Sequence, residues 1–291
     1  MELRVLQYFL AVAREQSISG AAEYLHLSQP TLSRQLKDME EELGKQLFIR
    51  GNRKITLTEE GLLLRKRAEE IISLVQKTEK DIRISDDVIA GDIYIGAGET
   101  DNIRFLARTA QVLQEHYPHI HYHISSSDRV DILEQLDKGL IDFGIIGDAV
   151  DASKYNYVTL PVVEPWGILM RSDSPLSLKD YVTPKDLWDK PLIFSRQALA
   201  SGVLTKWLRR EVSDLNIVAT YSLLYNGSLL VDEGFGYALC FDKIINTTGD
   251  SNLCFRPLSP KLETTVSLVW KKYQILTRAS EKFLNCLTEM L

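Results

Sequence analysis

Cysteine is scarce in this chain: Cys240, Cys254 and Cys286 are the only three, and no C-x-x-C pair occurs. That excludes a disulfide framework and a cysteine-rich zinc site, and it fits a reduced, intracellular compartment. A redox pairing of Cys240 with Cys254 is outweighed by the ordinary use of free cysteine as a small core residue. No apolar run approaches the length of a bilayer span. Val5 to Ala13 is too short for a secretory signal, is flanked by Glu2 and Glu15 and has no small-residue cleavage site, so a cytoplasmic location is expected. The net charge of -6 argues against a general binder of polyanions. Catalytic signatures are missing too. There is no G-x-S-x-G elbow, no H-E-x-x-H and no phosphate loop, and Gly96-x-Gly98 runs on to Asp101 where a dinucleotide fingerprint needs glycine. No enzyme and no cofactor are expected.

What is present is concentrated between Ser17 and Lys37. Ser17 is placed to cap a short helix through Gly20-Ala21-Ala22-Glu23-Tyr24-Leu25, and only His26-Leu27 separates it from a second start at Ser28. There Pro30 falls in the first turn, where no amide donor is required, and Leu32, Leu36 and Leu43 keep helical spacing. Small Ala21 and Ala22 let two short helices cross closely, as a helix-turn-helix requires. A first helix, Leu3 to Glu15, would bury Leu6, Phe9, Leu10 and Ala13 against the pair. The polar face of the second helix carries Gln29, Thr31, Ser33, Arg34 and Lys37. Amide, hydroxyl and cationic groups near a positive helix end suit phosphate oxygens and the acceptor edges of bases.

Two short strand-like runs, Lys45 to Arg50 and Lys54 to Thr58, flank Gly51-Asn52, and Arg50, Arg53 and Lys54 crowd the tip. A basic hairpin after a helix-turn-helix reads as a wing that grips a DNA backbone or enters a minor groove. The first 58 residues hold eight Lys and Arg against seven Asp and Glu, so a slightly basic tip precedes an acidic body. Phe9, Ser17, Ala21-Ala22, Leu25, Ser28-Gln29-Pro30, Leu32-Ser33, Leu36, Leu43-Gly44, Leu47-Phe48, Arg50, Leu57-Thr58 and Gly61 together resemble the N-terminal signature of the LysR-type transcriptional regulators. Gly20 departs from it, since the family often has a basic residue there.

From Thr58 to Ala90 there is no proline and no glycine beyond Gly61, and Leu64, Ala68, Ile71, Val75, Thr78 and Ile82 recur at spacings of four and three. This stripe predicts a helix that pairs with its twin, the rival reading being that it packs on its own domain. A two-fold protein implies double-stranded DNA with two related half-sites, an interrupted inverted repeat. The resemblance implies the same dimerising helix, and a dimer or a dimer of dimers.

After Gly91 the pattern alternates. Strands near Ile93 to Ala97, Ile120 to Ser125 and Asp142 to Gly147 are separated by helices near Asn102 to His116 and Arg129 to Lys138, which predicts a parallel sheet. Ligands in such sheets lie beyond the carboxyl ends of the strands. Those ends carry Gly98-Glu99-Thr100, Ser125-Ser126-Ser127 and Gly147-Asp148, suited to a small polar ligand, especially an anionic group. A second α/β run begins near Pro161 with a strand Trp166 to Met170. The chain is expected to cross between halves near Pro161 and again at Leu258 to Thr265.

This part is similar to the LysR-type effector-binding domain, whose two-lobed architecture resembles periplasmic binding proteins. The resemblance places Thr100, Ser126 and the helix start near Ser201 where members contact an inducer, whereas Phe241 stands where they usually show proline. The expected fold is therefore α/β, with a winged helix-turn-helix at 1–58, a linker helix at 59–89 and a two-lobed domain at 90–291. Lobe I would comprise about 90–160 and 266–291, and lobe II about 161–265.

The effector expected from the resemblance is an organic acid or amino-acid-like molecule. Glu99, Asp101 and Asp148 near the mouth would repel an acid unless Arg196 or Arg171 compensates. His116, His119, His121 and His123 fall within eight residues. Because Ile120, Tyr122 and Ile124 claim the buried face, these imidazoles are expected on a solvated or covered surface without a metal. A transport-type solute receptor is the remaining alternative. It fails on the missing export signal and on the first ninety residues, which that class does not need.

Overall fold

A computed structural model describes residues 1–51, 54–83, 88–147 and 149–291. The chain forms two compact units, Met1–Ile84 and Ser85–Leu291. In the first, α1 (Leu3–Glu15), α2 (Ile18–Tyr24) and α3 (Gln29–Leu43) precede a hairpin of β1 (Phe48–Arg50) and β2 (Ile55–Leu57), followed by α4 (Glu59–Arg83). The serine caps form as expected: Gly20 N donates to Ser17 Oγ at 3.2 Å, and Thr31 N to Ser28 Oγ at 3.3 Å. Between the helices His26 takes the left-handed conformation (φ 56°), which reverses the chain within two residues.

Phe9, Ala21, Leu32 and Leu36 form a core with Leu47, Phe48 and Ala68. Met39, not Leu43, supplies the third buried position of α3. Leu43 is 41% exposed, one turn past the core, where Gly44 (φ 64°) ends the helix. Glu40 Oε1 accepts from Leu47 N at 2.7 Å and Phe48 N at 3.2 Å and so ties α3 to the hairpin. Along α4 the expected stripe divides. Ala68 is fully buried and Leu64 and Ile72 pack on the core of their own unit, whereas Ile71, Leu74 and Ile82 are exposed. Packing on its own unit therefore accounts for only part of the stripe.

The second unit runs β3 (Gly91–Ala97), α5 (Ile103–His116), β4 (Ile120–Ser126), α6 (Arg129–Asp137), β5 (Phe143–Gly147) and β6 (Tyr155–Arg171). It continues with β7 (Leu192–Ser195), α7 (Arg196–Ser201), α8 (Val203–Leu208), β8 (Ile217–Tyr221), α9 (Leu224–Asp232), β9 (Tyr237–Phe241), β10 (Leu253–Pro257), β11 (Glu263–Lys271) and α10 (Arg278–Glu289). The strands join in the order β4-β3-β5-β11-β6-β9-β7-β8, with β10 also on β6. Lobe I packs Ile93, Ile95, Phe143 and Leu268 against Leu106, Phe283 and Leu287, and lobe II packs Ile168, Met170 and Phe194 against Leu204 and Leu208.

The chain passes between the lobes near Pro161 without leaving strand structure. β6 is one continuous strand through Pro161 and Pro165, paired with β11 over its first part and with β9 and β10 over its second. Pro161 is tolerated because the β6–β11 register shifts between Thr265 and Ser267, opposite it, so the amide that proline lacks is not called on there. Trp166 Nε1 donates to Thr264 Oγ1 at 2.9 Å and links the two crossing strands.

Gly61 gives a test of the first unit. A Cβ there would lie 2.2 Å from the Leu47 carbonyl oxygen, a backbone atom that cannot swing aside. Alanine favours a helix by only about 0.5–1 kcal/mol over glycine, so the clash wins. Gly61→Ala is expected to cost about 1–3 kcal/mol in urea unfolding, and an unchanged or raised midpoint would contradict this packing.

Candidate nucleic-acid interface and effector cleft

Burial of Leu32, Leu36 and Met39 fixes which side of α3 faces out. Ser28, Gln29, Pro30, Thr31, Arg34 and Lys37 are exposed and Ser33 is half-buried. Arg34 lies 3.9 Å from Asp38 and Lys37 3.2 Å from Glu41, both pairs one turn apart and open to water. Such pairs are weak, so phosphate or base acceptors can take over these cations at little cost. In the hairpin, Arg50 pairs with Ile55 through the backbone and Lys54 is exposed. The Arg50 side chain and Arg53 lie outside the described residues.

In the second unit a cleft of about 630 Å³, counted to its open mouth, separates the lobes. Gly98 and Thr100 line it from the loop after β3, Gly147 from the end of β5 and Ser201 from the end of α7. Ser125 and Ser126 are exposed and are not among its lining residues, and Ser126 instead borders a second hollow with Glu99 and Lys243. The strand order explains the difference: β4 is outermost in the sheet, while the cleft is floored by β5, β11 and β6.

The floor holds groups that sequence reading did not single out. Glu164 lies on β6 at the crossing and is only 3% exposed. Thr100 Oγ1 donates to its Oε1, and Asn102 Nδ2 does so at 2.6 Å. Burial pushes its pKa up, against the opposing pull of the Thr100 hydroxyl and the Asn102 backbone N–H. Arg129, first residue of α6, also lines the cleft. Its Nη1 donates to the Gly147 carbonyl and its Nη2 to the Ala149 carbonyl at 2.6 Å, while its backbone N–H donates across to Gln197 Oε1 of lobe II at 3.4 Å.

The cations expected to offset the acidic mouth are engaged elsewhere. Arg171 pairs with Asp173 at 2.7 Å and bonds the Asp232 carbonyl, and Arg196 bonds Ser222 Oγ. Of the acids, Asp101 is paired with Arg104 at 2.6 Å and Glu99 accepts from Leu224 N at the start of α9, while Asp148 lies outside the described residues.

Three other features can be placed. His123 stacks on Tyr94 at 4.6 Å and its Nε2 is 3.1 Å from Asp92 Oδ1, while Ile124 is 55% exposed. Ile124 therefore does not share the buried face expected of it, since edge strand β4 is covered only toward its start. Among the described residues no three His, Cys, Asp or Glu groups converge as a metal site, and no helix is long and apolar enough to cross a membrane. Cys240 on β9 and Cys254 on β10 flank β6 on opposite sides. Two strand spacings of about 4.8 Å put them beyond disulfide reach without rearrangement.

Residues 3–62 match the family model described as the bacterial regulatory helix-turn-helix protein, lysR family, and residues 86–291 match the LysR substrate binding domain. The chain belongs to the LysR family. It is a DNA-binding transcriptional regulator with an effector-binding domain, not an enzyme. It is 30% identical to the HTH-type transcriptional regulator BsdA of Bacillus subtilis (strain 168) over 82% of this chain and 83% of that protein. To the Hca operon transcriptional activator HcaR of Escherichia coli (strain K12) it is 27% identical, over 94% and 92%. The fold is similar to that of CbnR, a LysR family transcriptional regulator, with TM-score 0.79 at 19% identity and 99% coverage of both chains. A crystal structure of full-length CbnR complexed with its target DNA matches with TM-score 0.78, 19% identity and 100% of both chains.

The position of Glu164 in this LysR-family regulator makes a pH-dependent expectation. A carboxyl whose folded pKa lies above its ordinary 4.5 binds protons more readily in the folded chain. Its ionisation therefore removes stability as pH rises from about 4.5 through the raised value. Glu164→Gln keeps an acceptor for Thr100 and Asn102 and has no charge to bury. We expect it to melt above the parent near pH 8, with the gap closing near pH 4; a gap independent of pH would contradict the burial argument.

Proposed function

We propose that α3 enters the major groove of its target DNA, with Gln29, Thr31, Ser33 and Arg34 reading base edges and Ser28, Pro30 and Lys37 positioned at the backbone. Arg50, Arg53 and Lys54 of the hairpin contact phosphate or the neighbouring minor groove. The observation that carries this reading is the rotation of α3: its apolar residues are locked in the core, so Gln29, Thr31, Arg34 and Lys37 are turned to solvent, the two cations held only by exposed pairs one turn away. Two chains pair through the exposed part of α4, as a dimer or a dimer of dimers, on an interrupted inverted repeat. The chain acts in the cytoplasm.

The interlobe cleft binds a small effector, an organic acid or amino-acid-like molecule, through Gly98, Thr100, Gly147 and Ser201, with Ser125 and Ser126 at its outer approach. Effector binding favours one degree of lobe closure, and the regulator responds by changing the spacing or angle of the paired DNA-binding tips. The support lies in the lining of the cleft, which draws on residues of both lobes, a geometry in which a bound molecule touches both sides.

The roles assigned to α3 and the hairpin separate by experiment. Arg34→Ala is expected to cost about 1–3 kcal/mol on a selected DNA site and to relax preference among bases. Lys54→Ala is expected to weaken all sequences alike and to lower the salt slope by about one. Fluorescence anisotropy across a salt series measures both, and full affinity and selectivity in Arg34→Ala would remove base reading from that residue.

A further inference from the structure

The two ends of the cleft chemistry have opposite sign. Glu164 is buried on the floor, and both side-chain bonds it accepts, from Thr100 and Asn102, fall on Oε1. A carboxyl offers acceptor positions on two oxygens, so Oε2 keeps capacity for a further donor. Among the described residues no lysine or arginine pairs with Glu164. A desolvated carboxylate without a cation is costly, and a bound cation relieves that cost. Two residues on, Trp166 lies with its ring centroid 4.3 Å from that of Phe241, and both rings line the cleft. Aromatic faces attract ammonium groups, adding to a carboxylate's pull.

Arg129 supplies the other sign. It spends one N–H of each terminal nitrogen on the carbonyls of Gly147 and Ala149, and a guanidinium has five, so donors remain for a ligand carboxylate. Ile132, Ile145, Val203 and Val266 give aliphatic lining, alongside the polar Ser195, Gln197, Ser201 and Thr264. A dicarboxylate would meet Glu164 as a like charge, and a simple amine would leave Arg129 unused.

We infer that the effector is a zwitterionic amino acid with an apolar body, its ammonium donating to Glu164 beside the Trp166–Phe241 pair and its carboxylate accepting from Arg129. This rests on the cleft being the effector site, as proposed above, and it chooses the amino-acid-like class over the plain organic acid.

The test is calorimetry on the full chain with the twenty L-amino acids and the ω-amino acids of about three to six carbons. Each compound that binds is compared with its deaminated acid and its decarboxylated amine. At least one zwitterion is expected to bind about tenfold or more tighter than its deaminated acid, as a charge-assisted hydrogen bond contributes. Glu164→Gln is expected to erase that margin, and Arg129→Met to erase the margin over the amine; the two variants fail independently if either misfolds. Gly98→Leu, which meets only the Ser127 carbonyl at 3.9 Å as its side chain begins, is expected to obstruct the cleft and abolish binding. Acids binding as tightly as zwitterions, a margin untouched in Glu164→Gln, or no zwitterion binding at all would overturn the inference while leaving the cleft reading in place. Binding that survives in Gly98→Leu would instead overturn the cleft reading.

Discussion

The rotation of α3 about its own axis is the constraint from which the DNA-facing surface follows. Leu32, Leu36 and Met39 sit in the core with Phe9 and Ala21, and each would cost about 2–5 kcal/mol to truncate to alanine. No surface ion pair on the helix competes with that, since Arg34–Asp38 and Lys37–Glu41 are exposed and each contributes under about 1 kcal/mol. The apolar side therefore decides which polar residues face water. The Ser28 cap sets where the helix starts, and Glu40, by accepting from Leu47 and Phe48, sets where the hairpin leaves it. Recognition and stability thus divide along one helix: the residues proposed to read DNA contribute little to folding, and those that fold it are out of reach of DNA.

The effector-binding domain reaches a similar division with strands. β6 runs from one lobe into the other with β11 paired to it as far as the crossing, and Glu164, Trp166 and Thr264 there are at once the joint and the floor of the cleft. Thr100 and Asn102 bring the loop after β3 onto Glu164, and Gln197 meets the Arg129 amide from lobe II. A molecule seated there contacts the groups that hold the lobes at their present separation. A buried carboxylate at such a joint is unfavourable when the cleft holds only water, which is how a binding site can be costly to the empty protein and still be retained.

Much of this was legible because its signals are local. Serine caps, Pro30, the four-residue spacing of Leu32 and Leu36, and turn residues at Gly51-Asn52 act within a few positions, and the winged helix-turn-helix follows from them. Harder features depended on neighbours far along the chain. Pro161 reads as the start of a second run, yet β6 continues through it because three of its residues there stand opposite a single residue of β11, a hundred positions later. Leu43 continues the helical spacing, but the core ends before it, and the α4 stripe gave no sign of where packing on its own unit stops. Ser125 and Ser126 look like ligand contacts by position at a strand end, and only the place of β4 at the sheet edge moves them outward. Glu164 and Arg129 resemble ordinary charges in sequence; their meaning comes from a strand that crosses lobes and a helix start that faces the opening.

Selection of bound duplexes from random DNA by the purified full chain tests the account at its centre, because it reads α3 and the pairing of chains in one result. The account calls for an inverted repeat whose half-sites are separated by one helical turn of about 10 base pairs or a multiple of it, with the strongest base preference at positions that Arg34→Ala relaxes. Recovery of sequences without two-fold symmetry, or no enrichment at all, would contradict it.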